Sequence, residues 1–347
     1  MPSTAETTLG NLEVHGTLPA ALSGRHLQLA PNPTNAMMHS LILDAGRAVG
    51  FQTRSIATGA ADRIITFGNV TFVFGDRGVT YVLDDLGTAR RADLAGANRG
   101  MSTVPKVDRF TGELHLVAVD ATAGQLHVTV SPGGHRRSVW PIEGAPERVT
   151  DLAVSYDHVV LLAGGFLGVA SRAGDTDRVI WIATDSVAPQ LATAYDDGDS
   201  IVAFTAGPAL ERLTLHPASR TSRREVLDAT PQTFVGNDAR YSSASVRHLS
   251  TVSESAAHAY DLSAGTRRDH DFGTERHPGA LRFVVDPGRE HADDGGWLVG
   301  FVRDETRDES DFVVLDAQAI DRPAIATVRI PRRLPRGLHG AWIPATK

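Results

Sequence analysis

The side chains available for chemistry in this sequence are mainly histidine, acidic residues and hydroxyl groups, because the chain contains no cysteine. Disulfides, thiolate metal ligands and a cysteine nucleophile are therefore excluded. The 14 histidines include no HxH, HxxH or HExxH spacing, which are common in metal sites. No GxSxG elbow, Walker A loop or GxGxxG before a helix is present, so the common hydrolase and nucleotide-binding functions are excluded.

A few isolated polar residues remain as candidates. His339 can act as a general acid or base near neutral pH, or can be a hydrogen-bonded core residue. Asp76 lies in a Gly-Asp-Arg-Gly stretch, and turns favour aspartate for backbone reasons alone. Tyr195 can offer a phenol to a substrate carbonyl, whereas the Asp-Gly-Asp at 197–199 is typical of a hairpin turn.

The elements that must position these residues are short apolar segments rich in valine, isoleucine, threonine and phenylalanine. Representative segments lie at 70–74, 115–120, 159–163, 201–205, 297–302 and 312–315. They end at Gly, Asp, Asn or Pro, and they lack a helical period, so they predict β-strands throughout. Two polar segments, 265–278 and 287–296, are predicted to be surface loops.

The number of strands predicts a barrel or a propeller, since 347 residues are too many for an ordinary single sandwich. Seven four-stranded blades would take roughly 50 residues each. No low-complexity linker divides the chain, so we expect one domain over 1–347.

The charge balance limits the partners. The 34 basic and 41 acidic residues give a formal net charge of −7, and no run of like charges resembles a nucleic-acid arm, so no nucleic-acid partner is expected. The N-terminus has no basic and apolar signal pattern, and no stretch of 18 uninterrupted apolar residues occurs, so no spanning helix is expected. We expect a soluble, cytoplasmic protein, and the sequence does not predict its oligomeric state.

Six strings follow one another along nearly the whole chain. They are LPAALSGR with PNP (18–33), VPKVD with TGEL (104–114), TDLAVS (150–155), QLATAYDD (190–197), DDGGWL to DFVVLDA (293–317) and IPRRLPRGLHG (330–340). In this order they resemble the carotenoid cleavage oxygenases, a family that includes stilbene-cleaving enzymes and the retinoid isomerase of the visual cycle. The family stretch HWFDGDG is missing after Pro33, and the loops are shorter than is typical.

This resemblance implies a seven-bladed β-propeller with iron(II) on its axis, held by four histidines. Only His339 matches one of them, and Val104, Thr150 and Gln190 stand at the other three positions. One imidazole with a valine, a threonine and an amide is a poor iron site, because iron(II) needs several nitrogen or carboxylate donors. We therefore expect no metal and no cofactor, and no oxidative cleavage.

The glutamates that orient the histidines in the family are also replaced. Asp76, Ala229 and Ala280 stand nearest to their positions. The family's axial cavity accepts long conjugated polyenes, and its shape does not depend on the metal. Without iron, such a cavity predicts a metal-independent enzyme of specialised metabolism that folds a polyene, terpenoid or polyketide for a non-oxidative cyclisation or isomerisation.

The candidate residues follow from these strings. The predicted catalytic residues are His339, Tyr195, Gln190, Thr150 and Asp76. The predicted substrate contacts are Val104, His39 and Leu152. Two alternatives stay open: a non-catalytic protein that binds an apolar ligand, and a residual iron(II) oxygenase with relocated ligands such as His339, His39 and Asp76.

Overall fold

The computed structural model describes most of the chain. The described residues are 6–30, 36–56, 61–67, 70–75, 80–83, 89–92, 105–120, 122–172, 179–236, 239–337 and 339–345. They form 31 strands and one short 3₁₀ helix, Ala239–Tyr241, so the prediction of an all-β fold is confirmed. That the whole chain, 1–347, is one domain stays a prediction.

The strands form seven antiparallel sheets, which we call blades 1 to 7. Blade 1 contains, in spatial order, β1 (Thr7–Leu9), β5 (Arg47–Ile56), β4 (Ala36–Asp44), β3 (Gly24–Ala30) and β31 (His339–Pro344). Blade 2 contains β6 (Ala61–Phe67), β7 (Val70–Gly75), β8 (Thr80–Leu83) and β9 (Ala89–Ala92). Blade 3 contains β10 (Lys106–Val107), β11 (Leu114–Asp120), β12 (Gly124–Val130) and β13 (Arg136–Pro141).

The next blades repeat the same meander. Blade 4 contains β14 (Asp151–Val154), β15 (His158–Ala163), β16 (Phe166–Ser171) and β17 (Ile180–Ala183). Blade 5 contains β18 (Gln190–Asp197), β19 (Ser200–Ala206), β20 (Leu210–His216) and β21 (Thr221–Asp228). Blade 6 contains β22 (Phe234–Gly236), β23 (His248–Val252), β24 (Ala256–Asp261) and β25 (Thr266–Asp271).

Blade 7 is built from both ends of the described chain. It contains β2 (Val14–Gly16), β30 (Ala326–Ile330), β29 (Glu309–Asp316), β28 (Gly296–Asp304), β26 (Arg276–Pro278) and β27 (Arg282–Val285), the last two both pairing with β28. One strand from each of the seven blades lines a shared central cavity, so the blades surround one axis as a seven-bladed propeller. We call these inner strands, and they are β6, β10, β14, β18, β22, β27 and β31.

Two contacts between distant segments close the ring. β3 pairs with β31, with Leu29 opposite His339, and β2 pairs with β30. At Gly16 the φ angle is +81°, and an added Cβ would lie 2.3 Å from the carbonyl oxygen of Ile325. Only glycine fits this close approach of two backbones.

The core fills the space between neighbouring blades. Phe51 of blade 1 meets Phe301 of blade 7 with ring centroids 6.0 Å apart, and Phe301 meets Phe312 at 5.5 Å. All three rings are almost completely buried. Burial of one such side chain contributes about 1.5–3 kcal/mol, so apolar contacts between blades hold the inner strands in place.

The loop prediction at 265–278 is wrong. The residues 266–271 form β25, and 276–278 form β26. β25 is the outer edge strand of blade 6, and its side chains are nearly all exposed. Apolar and polar residues alternate in a strand when one of its faces packs against the core. This edge strand has no buried face, so its sequence is typical of a loop.

Candidate functional site

A cavity of about 680 Å³ lies on the axis of the propeller and is lined by all seven inner strands. Its apolar wall includes Ile64, Val107, Val154, Phe283, Val284 and Trp342. The charged residues that line it are Lys106, Arg240, Arg282 and Glu290. The site is therefore an apolar channel with a small number of charged groups, which is typical of a small-molecule site.

Three of the residues predicted from the sequence lie where inner strands begin. Gln190 is the first residue of β18, His339 is the first residue of β31, and Thr150 directly precedes β14. Later residues of the same strands line the cavity. The Gln190 side chain donates a hydrogen bond from Nε2 to the carbonyl oxygen of Thr233 at 3.2 Å, which leaves its own carbonyl oxygen as an acceptor. Thr150 is exposed, and its backbone N–H donates to Leu162 at 2.8 Å.

His339 is partly buried, and the charges of three cations act on it. Burial, followed by the positive charges of Arg282, Arg63 and Lys106, lowers the pKa of His339 to about 3. The imidazole is therefore neutral at pH 7, since its ordinary pKa is 6.5. A neutral imidazole can accept a proton or a hydrogen bond, but it adds no positive charge to the site.

Lys106 and Asp151 connect three inner strands through the backbone of one residue, Leu191. Lys106 Nζ donates to the carbonyl oxygen of Leu191 at 3.1 Å, while the Leu191 N–H donates to Asp151 Oδ2 at 2.8 Å. The Leu152 N–H donates to Asp151 Oδ1 at 2.9 Å. Burial raises the pKa of Asp151, although the charges of Lys106 and Arg63 oppose this shift.

Three other predicted residues lie elsewhere, and like Gln190, His339 and Thr150 they are not among the residues that line the axial cavity. Tyr195 packs 6.4 Å from the ring of Phe204 and lines a separate cavity of about 140 Å³ on blade 5. Leu152 is fully buried in the apolar cluster between blades 3 and 4. His39 is buried on β4, with Nδ1 3.1 Å from the Thr53 hydroxyl. Their roles stay predictions, and Asp76 and Val104 lie outside the described residues.

Sequence reasoning missed the charged residues of the axis. Lys106 and Asp151 lie inside the strings VPKVD and TDLAVS, so a signal for them was present. Arg63 and Arg282 have no motif, and arginine accounts for nearly all of the 34 basic residues, so neither stands out. Their importance appears only when the inner strands are brought around one axis.

The residues at the axis do not fit the iron(II) site that the resemblance implies. The described side chains at the ligand positions offer one imidazole, one amide and one hydroxyl. Among the described residues, no group of three or more His, Asp or Glu could hold a metal ion. The cations Arg63, Lys106 and Arg282, which act on His339, would also repel a dication.

In the part of the chain that the structure describes, no helix has the length and apolar character needed to cross a membrane.

Comparison with known proteins agrees with the fold. The chain is 23% identical to a carotenoid cleavage oxygenase of Mycobacterium tuberculosis (strain H37Rv), over 99% of this chain and 96% of the relative. It is 25% identical to a probable chloroplastic carotenoid cleavage dioxygenase 4 of Arabidopsis thaliana, over 95% and 77% of the two chains. The crystal structure of Pseudomonas brassicacearum lignostilbene dioxygenase superimposes with a TM-score of 0.89 and 18% identity, over 99% and 97% of the two chains.

A family model described as retinal pigment epithelial membrane protein, RPE65, matches residues 170–344. This match begins near the end of β16, covers β17 to β31 and includes the string that contains His339. The chain therefore belongs to the RPE65 and carotenoid cleavage oxygenase family.

Proposed function

We propose that this chain binds a hydrophobic, conjugated molecule in the axial cavity and rearranges it by cyclisation or isomerisation without a metal. The observation that carries this proposal is the set of side chains at the axis that could bind a metal. It contains one imidazole, together with neutral side chains and cations. Polyenes, terpenoids and polyketides are the substrate classes, and specialised metabolism is the setting. Location in the cytoplasm stays a prediction.

The cavity supports this proposal by its size and its wall. A volume of about 680 Å³ lies within the range of about 300–1,000 Å³ that small-molecule sites occupy. A flexible polyene folded against Val154, Phe283 and Trp342 would lose its conformational freedom on binding. Correct positioning alone can lower a barrier by roughly 7–11 kcal/mol, enough to speed a unimolecular ring closure greatly.

The residues at the inner strand ends supply hydrogen-bonding groups for the substrate. His339 offers a neutral ring nitrogen, Gln190 offers its carbonyl oxygen, and Thr150 offers a hydroxyl group. Because its pKa is lowered to about 3, the His339 imidazole is a weak base, so it accepts a hydrogen bond from the substrate instead of removing a proton from carbon. A cyclisation or isomerisation of the substrate held in this way moves double bonds with no net oxidation, and it therefore needs no dioxygen.

The names of the relatives support a conjugated substrate. The proteins from Mycobacterium tuberculosis and Arabidopsis thaliana carry carotenoid cleavage in their names, and the Pseudomonas brassicacearum protein carries lignostilbene. Carotenoids and stilbenes both contain extended conjugated systems. We propose that this chain has kept a cavity for that shape and has changed the chemistry on the axis.

The test combines metal analysis with anaerobic turnover. The purified protein is loaded with iron(II), desalted, analysed for metal, and then incubated with conjugated substrates under nitrogen with a chelator. We expect far less than one iron per chain and a product with the mass of the substrate, formed more slowly by a His339→Gln variant. Stoichiometric iron and oxygen-dependent cleavage would show an oxygenase. Ligand binding that never gives a product would show a binding protein instead.

A further inference from the structure

The hairpin between β23 and β24 in blade 6 places a serine against a histidine. Ser253 is the residue that follows β23, and His258 is the third residue of β24. Oγ of Ser253 lies 2.9 Å from Nε2 of His258. The imidazole is almost completely buried, whereas Ser253 is partly exposed. A hydroxyl group that solvent can reach is therefore held against a ring nitrogen whose position is fixed by the surrounding protein.

A carboxylate holds the other nitrogen of the same ring. Asp269 lies directly opposite His258 on the neighbouring strand β25, and its Oδ1 is 2.7 Å from Nδ1 of His258. Arg267 donates from Nη2 to Oδ2 of Asp269 at 2.7 Å, so both carboxylate oxygens have a partner. Burial raises the pKa of Asp269, but hydrogen bonds from Arg267 and His258 outweigh it and hold the pKa below 3.8. The carboxylate is therefore ionised at neutral pH.

The charge of Asp269 sets the direction of both hydrogen bonds to the ring. Because an ionised carboxylate can only accept, the proton of the neutral imidazole lies on Nδ1 of His258. Nε2 is then an acceptor, and the hydroxyl group of Ser253 donates to it. The other acceptor near this hydroxyl group, the Ala256 carbonyl oxygen, is more distant at 3.5 Å. The three side chains are therefore aligned for removal of the hydroxyl proton, which is how a serine nucleophile is activated.

We propose that Ser253, His258 and Asp269 form an acyl-transfer site that hydrolyses small carboxylic esters at the surface of blade 6. Ser253 is the nucleophile, His258 is the general base, and Asp269 is a positioning residue that orients the ring. The nucleophile lies on a partly exposed hairpin turn, which suits short acyl groups. The three residues are not among those that line the axial cavity, so this activity is separate from the rearrangement proposed above.

The reaction proceeds in two balanced steps. Oγ of Ser253 forms a bond to the acyl carbon while Nε2 of His258 takes the hydroxyl proton. The bond from that carbon to the alcohol oxygen then breaks, and His258 gives the proton to the leaving alkoxide. Water next attacks the acyl group on Ser253 and gives a proton to His258, which returns it to the serine oxygen as the acid leaves. No electrons are transferred, and water is the co-reactant.

The turn that carries the nucleophile is held by a residue from outside the blade. Arg336 donates from Nη2 to the Ser253 carbonyl oxygen at 2.6 Å and from Nη1 to Oε2 of Glu254 at 2.9 Å. The Ser253 N–H donates to the Ala256 carbonyl oxygen at 2.9 Å. The N–H groups of the next two residues, Glu254 and Ser255, are therefore the backbone donors for the oxyanion of the adduct.

The test labels the purified wild type with a fluorophosphonate, a probe that reacts with activated serine hydroxyl groups, and locates the adduct by peptide mass spectrometry. We expect a stoichiometric adduct on Ser253, and turnover of 4-nitrophenyl acetate by the unlabelled protein. Denaturation before labelling should abolish the adduct, because His258 is held against Ser253 only in the folded blade. No adduct, or an adduct on other residues alone, overturns the proposal.

Variants separate catalysis from structural contacts. Ser253→Ala and His258→Gln should each lower kcat for 4-nitrophenyl acetate by at least about 100-fold. Asp269→Asn should lower kcat by at least about tenfold with KM unchanged, because a neutral amide stabilises the protonated imidazole less, and Asp269→Glu should recover part of this loss. A purely structural role of Asp269 would lower the melting temperature without this split between kcat and KM.

The matched control is Ser263→Ala. Ser263 is exposed in the next turn of the same blade, and its variant should keep both the labelling and the turnover of the wild type. Unchanged labelling and turnover in Ser253→Ala overturn the site. If Ser253→Ala does not fold, the position of the adduct in the wild type decides, because that measurement needs no variant.

Discussion

Nδ1 of His115 lies 3.2 Å from Nε2 of His127 in the interior of blade 3. Both rings are buried, and burial lowers the pKa of His115 to about 4 and that of His127 well below 6.5. Burial also lowers the pKa of His26 to about 3 and that of His39 to about 4. All four imidazoles are therefore neutral in the folded chain at neutral pH, and they charge readily only when it unfolds.

The free energy of unfolding should fall as the pH drops below about 6.5, the unfolded pKa of histidine. Because the folded pKa values are depressed, stability is complete above pH 6.5 and is lost progressively toward about pH 4. Within this window, each buried imidazole lowers the free energy of unfolding by about 1.4 kcal/mol for every unit by which the pH drops. Urea unfolding at several pH values measures the slope.

The control is His26→Phe. The His26 ring lies 5.2 Å from the rings of both Phe301 and Phe312, and neither of its nitrogens has a hydrogen-bond partner among the described residues. Phenylalanine should fit into the same space. Because it cannot bind a proton, the unfolded variant takes up one proton fewer than the unfolded wild type. The slope should fall by about 1.4 kcal/mol per pH unit, and an unchanged slope would contradict this assignment.

Asp108→Asn should destabilise the turn that follows β10. Burial alone raises the pKa of Asp108, but hydrogen bonds from Thr111 and Arg172 outweigh it and hold the pKa below 3.8. Arg172 Nη2 lies 2.6 Å from Asp108 Oδ2. Arg172 Nη1 donates to the Ser155 carbonyl oxygen, so this arginine also links the turn to blade 4. We expect a loss of about 3 kcal/mol in unfolding free energy, because the mostly buried Arg172 loses its nearer carboxylate partner and keeps Glu113 at 3.8 Å.

The matched control for Asp108→Asn is Arg137→Gln. Arg137 forms an exposed ion pair with Glu113 at 3.1 Å. Exposed pairs contribute about 0–1 kcal/mol, so this variant should unfold nearly as the wild type does. If chemical denaturation gives similar losses of unfolding free energy for the two variants, the Asp108–Arg172 ion pair contributes no more than an exposed pair.

Gly337→Ala should disturb the segment that leads into His339. An added Cβ would lie 2.4 Å from Cγ of Gln28, and Gln28 is almost completely buried. We expect a loss of about 1–3 kcal/mol, as for other overpacked cores. Thermal unfolding of Gly337→Ala with and without Gln28→Ala tests this. The double variant should lose less than the sum of the single losses, and strict additivity would rule out the clash.

Lys106→Met and Asp151→Asn should not be additive. Each change alone breaks the connection through Leu191, and Lys106→Met also removes a cation beside a buried carboxylate. The double variant lacks both charges. Its loss of unfolding free energy should therefore be about 1–3 kcal/mol smaller than the sum of the two single losses. A double-mutant cycle in urea measures this coupling, and a value within about 0.5 kcal/mol of zero would mean that the two side chains act independently.

The fold could be predicted because its central strands are apolar on both faces. The segments 297–302 and 312–315 lie inside β28 and β29, which are almost entirely buried. β25 could not be recognised, since its exposed edge carries polar residues. Short apolar runs indicate buried strands, whereas an exposed edge strand leaves little pattern in the sequence.

The candidate site was predicted only in part, for geometric reasons. The strings singled out Gln190 and His339, which the structure places at the first residues of β18 and β31. They did not indicate the register shift between Leu191 and Thr193, which changes the direction of later side chains such as Tyr195. Arg63 and Arg282 lie on strands of different blades and both act on His339, and a single sequence carries no signal for that arrangement.

The pairing of β31 with β3 has a consequence for synthesis on the ribosome. All the strands from β1 to β30 emerge before the residues 339–344, so the inner position of blade 1 is vacant until translation has passed them. Until then the free edge of β3 is open to other chains, and the axis lacks His339. A nascent chain therefore completes its axial cavity and protects this edge in the same late step.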